Sequence, residues 1–139
     1  MNKLLITSKL FLSIFLLIAV CSFIVFQSCN VSTANLSDVR MGTSLNSDGE
    51  CNNDTPTFPA ASPVIYCSAK LNNAPSGTKV TFQWKHGSED LGKAEVETSS
   101  GTVNSNFKPS ASLEPGKYSV SVKIATDNST PVTKEFTVE

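Results

Sequence analysis

His86 is the only histidine in the chain, and Glu89 and Asp90 follow it closely. An imidazole set against a serine is a general base for acyl transfer. Two carboxylates across a sugar bond are the acid and nucleophile of glycoside hydrolysis. The sequence builds neither arrangement. No nucleophile elbow brings a serine to the ring, and adjacent acidic side chains after His86-Gly87-Ser88 solvate a turn. No catalytic residue is therefore expected. Metal chemistry is short of ligands as well. Cys51, Cys67 and one histidine do not complete a tetrahedral zinc set. Asn46-Ser47-Asp48-Gly49 has the alternating oxygens of a calcium loop, but Ser44 stands where an Asp should open it and Thr55 where a Glu should close it. An ordinary Asp-Gly turn is expected there, with no metal and no cofactor.

The N-terminus settles where such residues would work. Lys3 and Lys9 precede an apolar run from Leu10 to Phe26, interrupted only by Ser13 and Ser22. A positive flank followed by an apolar stretch is the physical description of an export signal. The end of the run, Phe26-Gln27-Ser28-Cys29, resembles the lipobox of bacterial lipoproteins, in which the cysteine is lipidated on sulfur and becomes the new N-terminus. The resemblance implies a lipoprotein signal peptide over 1–28, lipid on Cys29 and a short polar tether over 29–35. Two other fates stand beside it. Ser32-Thr33-Ala34 offers an ordinary signal-peptidase site that would release a secreted domain. The run could also stay as an uncleaved anchor helix, since its length is at the low edge of what spans a bilayer. All three put the rest of the chain outside the cytoplasm.

Cysteine chemistry follows from that context. Cys21 lies within the apolar run, and the lipoprotein resemblance assigns Cys29 to the lipid. Cys51 and Cys67 then remain as the pair in an oxidising compartment, and a disulfide between them is expected. It would contribute on the order of 3 kcal/mol in the chain-entropy model. The sequons at Asn30, Asn35, Asn53 and Asn128 read as products of an Asn-, Ser- and Thr-rich surface.

Charge narrows the partners further. The chain carries 11 Lys and Arg against 12 Asp and Glu, and loss of Lys3 and Lys9 with the leader makes the remainder more acidic. No basic cluster exists to neutralise phosphates, so nucleic acid is excluded as a partner. The membrane, through lipid on Cys29, and an envelope protein or glycan are the partners expected.

The elements that position these residues are written in period two. Ile65, Cys67, Ala69 and Leu71 alternate with Tyr66, Ser68 and Lys70; Val80, Phe82 and Trp84 alternate with Thr81, Gln83 and Lys85. The pattern returns through Ala94, Val96 and Thr98, through Phe107, Ala111 and Leu113, through Tyr118 to Ile124, and through Val132, Phe136 and Val138. A weaker strand runs from Leu36 to Met41. Asp48-Gly49, Ala74-Pro75-Ser76-Gly77, His86-Gly87-Ser88, Ser100-Gly101, Glu114-Pro115-Gly116 and Asp127-Asn128-Ser129 separate the runs. The spacing predicts an all-β domain over 36–139, an antiparallel sandwich of about seven strands.

Two local motifs make the likeness more specific. Trp84 stands where immunoglobulin-like domains bury a tryptophan on the third strand, and Leu113-Glu114-Pro115-Gly116-Lys117-Tyr118 resembles the tyrosine corner that opens the sixth. The resemblance is to immunoglobulin-like and fibronectin-III-like modules. It implies that the Tyr118 hydroxyl bonds back to upstream backbone. Val120 stands two residues after Tyr118, so the usual inter-sheet disulfide of the family has no second cysteine.

Alternation sends most aromatic residues inward. Tyr66 is the exception, opposite in facing to Cys67, and is the candidate binding residue; Phe58 precedes Pro59 in what reads as a loop. These features describe a non-catalytic cell-envelope lipoprotein acting as a binding or structural module. A secreted carbohydrate- or protein-binding module, including an inhibitor-like one, is the alternative.

Overall fold

Over residues 36–139, alternating β-branched and aromatic residues, broken by Gly, Pro and Asn at the turns, favour strand as the regular structure. The computed structural model describes residues 33–125 and 129–139. Cys29, the expected leader over 1–28 and the sequons at Asn30 and Asn128 lie outside them. The elements are β1 (Asn35–Gly42), β2 (Thr57–Phe58), β3 (Ile65–Asn72), β4 (Thr78–His86), β5 (Glu89–Thr98), β6 (Gly101–Phe107), β7 (Gly116–Ile124) and β8 (Val132–Val138). Among the described residues no helix is long and apolar enough to cross a membrane.

The strands form two sheets, β1-β3-β6 and β2-β8-β7-β4-β5. All pairings are antiparallel except that of β2 with β8. The strand after the Trp84 strand pairs with β4 and so joins the larger sheet, whereas a constant-type immunoglobulin domain places it in the other. Met41, Cys67, Ala69, Leu71 and Val103 from the small sheet face Val80, Phe82, Trp84, Tyr118, Val120, Val122, Ile124 and Phe136 from the large one in a single core. Each of these strands turns one row into the core, and the outer rows are polar, with Ser68 and Thr81 covered on that side.

The connection from β1 to β2 folds back over the outer face of the small sheet. Leu45 bridges to Cys51, and Asn46 closes the tip, its Oδ1 accepting from the amides of Asp48 and Glu50 at 2.9 Å each. The expected Asp-Gly turn is thus the one formed, with Gly49 N donating to Asn46 O at 3.1 Å. Cys51 N donates to Ser68 Oγ at 2.9 Å and Asn104 Nδ2 to Gly49 O at 3.1 Å, which seals the flap onto β3 and β6. Close approach explains Gly42, where an added Cβ would lie 3.0 Å from Asn53 O and 3.3 Å from Cys51 Cβ.

This flap also corrects the expected disulfide. Among the described residues both cysteines are free thiols, and both are buried. Cys67 points into the core beside Met41, whereas Cys51 lies with Ser68 on the outer face, its Sγ 3.6 Å from the carbonyls of Arg40 and Tyr66. The sheet itself stands between the two side chains. Separation along the chain permits a bridge that side-chain facing does not.

Two further expectations shift. The row Phe107, Ala111, Leu113 is not a strand; β6 ends at Phe107 and a loop follows it. Lys108 precedes Pro109, whose ring disfavours continuation and removes a ladder donor, while Val103 and Ser105 supply the buried row of β6. Phe58 is not exposed in a loop. It sits in β2 with no accessible surface and meets Phe136 edge to face at 5.5 Å.

The two sheets are closed at one side by an ion pair. Lys134 of β8 donates to Asp54 Oδ2 at 2.6 Å, and the other oxygen of Asp54 accepts from Met41 N at 3.1 Å.

Candidate functional site

Strand direction defines two ends. β1 begins beside Asn72, the last residue of β3, and Leu71 pairs with Gly101, the first of β6. The N-terminal end therefore carries the β3–β4 and β5–β6 connections. The opposite end carries the β4–β5 hairpin and the 108–115 loop.

At that opposite end an open cleft of about 470 Å³ lies between the hairpin and the loop. His86 closes β4 and lies flat on Tyr118, ring centroids 4.2 Å apart and planes 3° from parallel. Tyr118 stacks in turn on Phe136 at 5.3 Å. Across the cleft Phe107 stacks on Trp84 at 5.9 Å, and Trp84 meets the same Phe136 edge to face at 6.3 Å. Both aromatic walls thus rest on rings of one continuous core stack, so the cleft is built before anything enters it.

The tyrosine corner fixes the lower wall. Tyr118 donates its hydroxyl to Glu114 O at 2.8 Å, the bond the resemblance implied. Burial pushes that hydroxyl's pKa above its ordinary value; the charges of Glu114 and Glu89 push it the same way, against the lowering effect of the bond to Glu114 O. Glu89, Glu114 and Lys108 form a charged rim, while Leu91, Phe107 and Leu113 supply apolar surface. A smaller hollow of about 210 Å³ shares Pro109 to Ser112 with the cleft and is completed by Ala60 to Pro63.

The arrangement offers apolar contact and charged recognition. Ser110 and Ser112 line the cleft with His86, yet among the described residues no hydrogen bond joins either to the imidazole, so no nucleophile and base pair is assembled. Asp90 serves the hairpin, accepting from Gly92 N at 2.9 Å and from Gln83 Nε2. His86 is half-buried in a ring stack at the end of β4, whereas the sequence placed it in the turn that follows.

Other residues singled out from the sequence fall elsewhere. Tyr66 is half-buried on the outer face of the small sheet, paired with Gly42 and Asn106, on a different surface from the cleft. Trp84 is 3% exposed and belongs to the core, its indole N–H buried with no hydrogen-bond partner among the described residues. Phe107 and Leu91, which wall the cleft, were hidden. The Lys108-Pro109 step was the available signal, since it ends a strand at Phe107 and turns the residues after it into a loop.

A scan against protein-family models gives no match, and neither does a search of curated proteins. Solved structures do match. An immunoglobulin-like protein of Pseudomonas aeruginosa superposes with a TM-score of 0.55 at 15% identity, over 76% of this chain and 96% of that one. A beta-glucosidase of Listeria innocua matches with a TM-score of 0.42 at 10% identity, over 76% of this chain but only 16% of its own length. That second likeness is too distant to carry an argument. The described residues form an immunoglobulin-like β-sandwich. At this identity the likeness fixes the fold, and function has to be argued from the surface.

Proposed function

We propose that this chain is a non-catalytic cell-envelope lipoprotein, held to a membrane by acyl chains on Cys29, whose sandwich serves as a binding or structural module through the cleft between His86 and Phe107. The observation that carries the reading is the opposition of ends. β1 begins at Asn35 beside Asn72, while the cleft lies where β4, β6 and the Tyr118 corner meet at the other end. A lipid tether before Asn35 would hold the domain with its preformed cleft facing away from the surface. The partner on this reading is an envelope protein or a glycan.

Metabolic labelling with an alkyne-bearing fatty acid tests the anchor. Label on the wild-type chain that disappears in Cys29→Ala supports it; an unlabelled soluble product beginning near Asn35 replaces it with the secreted module. Photo-crosslinking tests the surface. A crosslinker at Ser110 should trap a partner that the same group at Ser121, on the outer face of the large sheet, does not. Equal yields from both positions would reject the cleft.

A further inference from the structure

The large sheet has a short cover at one edge, where β2 pairs only with Thr137 and Val138 of β8, and none at the other. β2 covers β8, but β5 pairs only with β4, although it is ten residues long and the longest strand described. No backbone hydrogen bond outside its own ladder reaches Lys93 to Glu97 from elsewhere among the described residues. An open row of amides and carbonyls is a template for another strand, and natural edges carry devices that decide which strand is accepted.

The device here is a charge pattern of mixed sign. Lys93, Glu95 and Glu97 form the outer row of β5, opposite Gln83, Thr81 and Lys79 of β4. Ala94 and Val96 form the inner row, half-buried and packed against the core. A row of one sign would repel a second copy. A row of mixed sign can match itself.

We propose that β5 is a self-association edge, along which two copies of this chain pair antiparallel about a two-fold axis through Ala94. In that register Lys93 of each copy stands opposite Glu95 of the second copy, and Gly92 stands opposite Val96, small against large. Glu95 already receives Lys79 Nζ at 3.0 Å, so each carboxylate would lie between two ammonium groups. Lys93 makes no ion pair among the described residues. Moving the axis to Glu95 would set Glu95 against its own copy, and like charges directly opposite destabilise a ladder. The irregularity at Trp84/Lys85 limits regular pairing to about five residues per copy, a small interface with affinity on the order of 100 μM. Antiparallel pairing also sends the two N-terminal ends in opposite directions. Copies carried on facing surfaces can therefore join, while neighbours on one surface cannot. This inference does not depend on the cleft.

Sedimentation equilibrium of the chain from Ser32 onward tests it, since the whole core lies within that unit. Wild type should dimerise between about 10 μM and 1 mM. Lys93→Glu and Glu95→Lys should each weaken self-association at least about tenfold, because each variant sets like charges opposite at both symmetry-related pairs. Mixed in equal amounts, the two variants should recover wild-type association to within about threefold, since every 93–95 pair is again of opposite sign. Glu97→Lys should leave the dimer intact. A monomeric wild type at about 1 mM, single variants that associate as wild type does, a mixture that fails to recover, or disruption by Glu97→Lys would each overturn the proposal.

Discussion

The imidazole of His86 rests on the ring of Tyr118 at 4.2 Å, and the same tyrosine holds Glu114 O through its hydroxyl at 2.8 Å. One side chain thus links the hairpin on one side of the cleft to the loop on the other. Tyr118→Phe keeps both ring contacts and removes only the hydroxyl. It should destabilise the domain by about 1 kcal/mol and lower Tm by about 5 °C, with greater mobility in the 108–115 loop. Thermal unfolding and amide exchange of that loop measure the two effects; an unchanged Tm would mean the corner bond adds nothing.

Gly116 lies against the Nε2 edge of His86. A Cβ there would lie 2.8 Å from His86 Nε2, and the backbone φ of +154° lies in a region that disfavours side chains. Gly116→Ala should displace the imidazole from Tyr118 and cost about 1–2 kcal/mol. His86→Ala in the same chain should relieve the clash and leave the backbone cost. A double-mutant cycle should therefore give a coupling energy of at least about 0.5 kcal/mol. Strict additivity would show that the ring and the glycine do not interact.

Trp84 and Tyr118 were legible in the sequence because their roles are set by local pattern, an alternating strand in one case and a Leu-Glu-Pro-Gly-Lys-Tyr turn in the other. The facing of Cys51 was not. It depends on a flap that returns over Ser68 and Gly42, and no period in residues 43 to 56 announces that return. Phe107 was misread for a related reason. Ser105 occupies a buried position that a hydrophobic pattern skips, so the true strand looked polar and the loop beyond it, with Ala111 and Leu113, looked regular. The cleft was invisible because its walls come from β4, β5 and β6 and meet only once the sheets are packed. Ends of strands carry no periodicity.

Asp54 should make stability depend on pH in the acid range. Burial alone would raise its pKa, but the hydrogen bonds from Lys134 and from Met41 N, with the charges of Lys134 and Arg40, outweigh that and hold it below the ordinary value. A lowered folded value means that the contribution is complete above the unfolded pKa of about 3.9 and is lost as pH falls through the folded one. Asp54→Asn should cost about 0.5–1 kcal/mol at pH 7, a modest figure because the pair is partly exposed. The difference between wild type and variant in urea unfolding should shrink as pH falls from about 5 to about 2. A constant difference across that range would assign the loss to packing instead of charge.

The two cysteines make the opposite prediction at alkaline pH. Cys67 is 0% exposed, and burial, helped by the charge of Cys51, pushes its pKa up to about 12. Burial raises Cys51 as well, against the hydrogen bonding of Ser68. A raised folded value keeps the neutral thiol in the folded state. Its stabilising effect is complete below the unfolded value of about 8.5 and is lost as pH rises toward about 12. Between those limits wild type should lose about 1.4 kcal/mol per pH unit through Cys67 alone. Cys67→Ala should start lower at pH 7, by about 1–2 kcal/mol for the deleted sulfur, yet fall less steeply above about pH 9. The curves would converge and then cross, since a slope of about 1.4 kcal/mol per pH unit closes a gap of about 1–2 kcal/mol well before the folded pKa is reached. A thiol reagent gives the independent check on domain prepared without reductant: Cys51 and Cys67 should both be silent when folded and both react on unfolding. Failure to react on unfolding until a reductant is added would restore the bridge, and would require the flap carrying Cys51 to cross to the core face of β3.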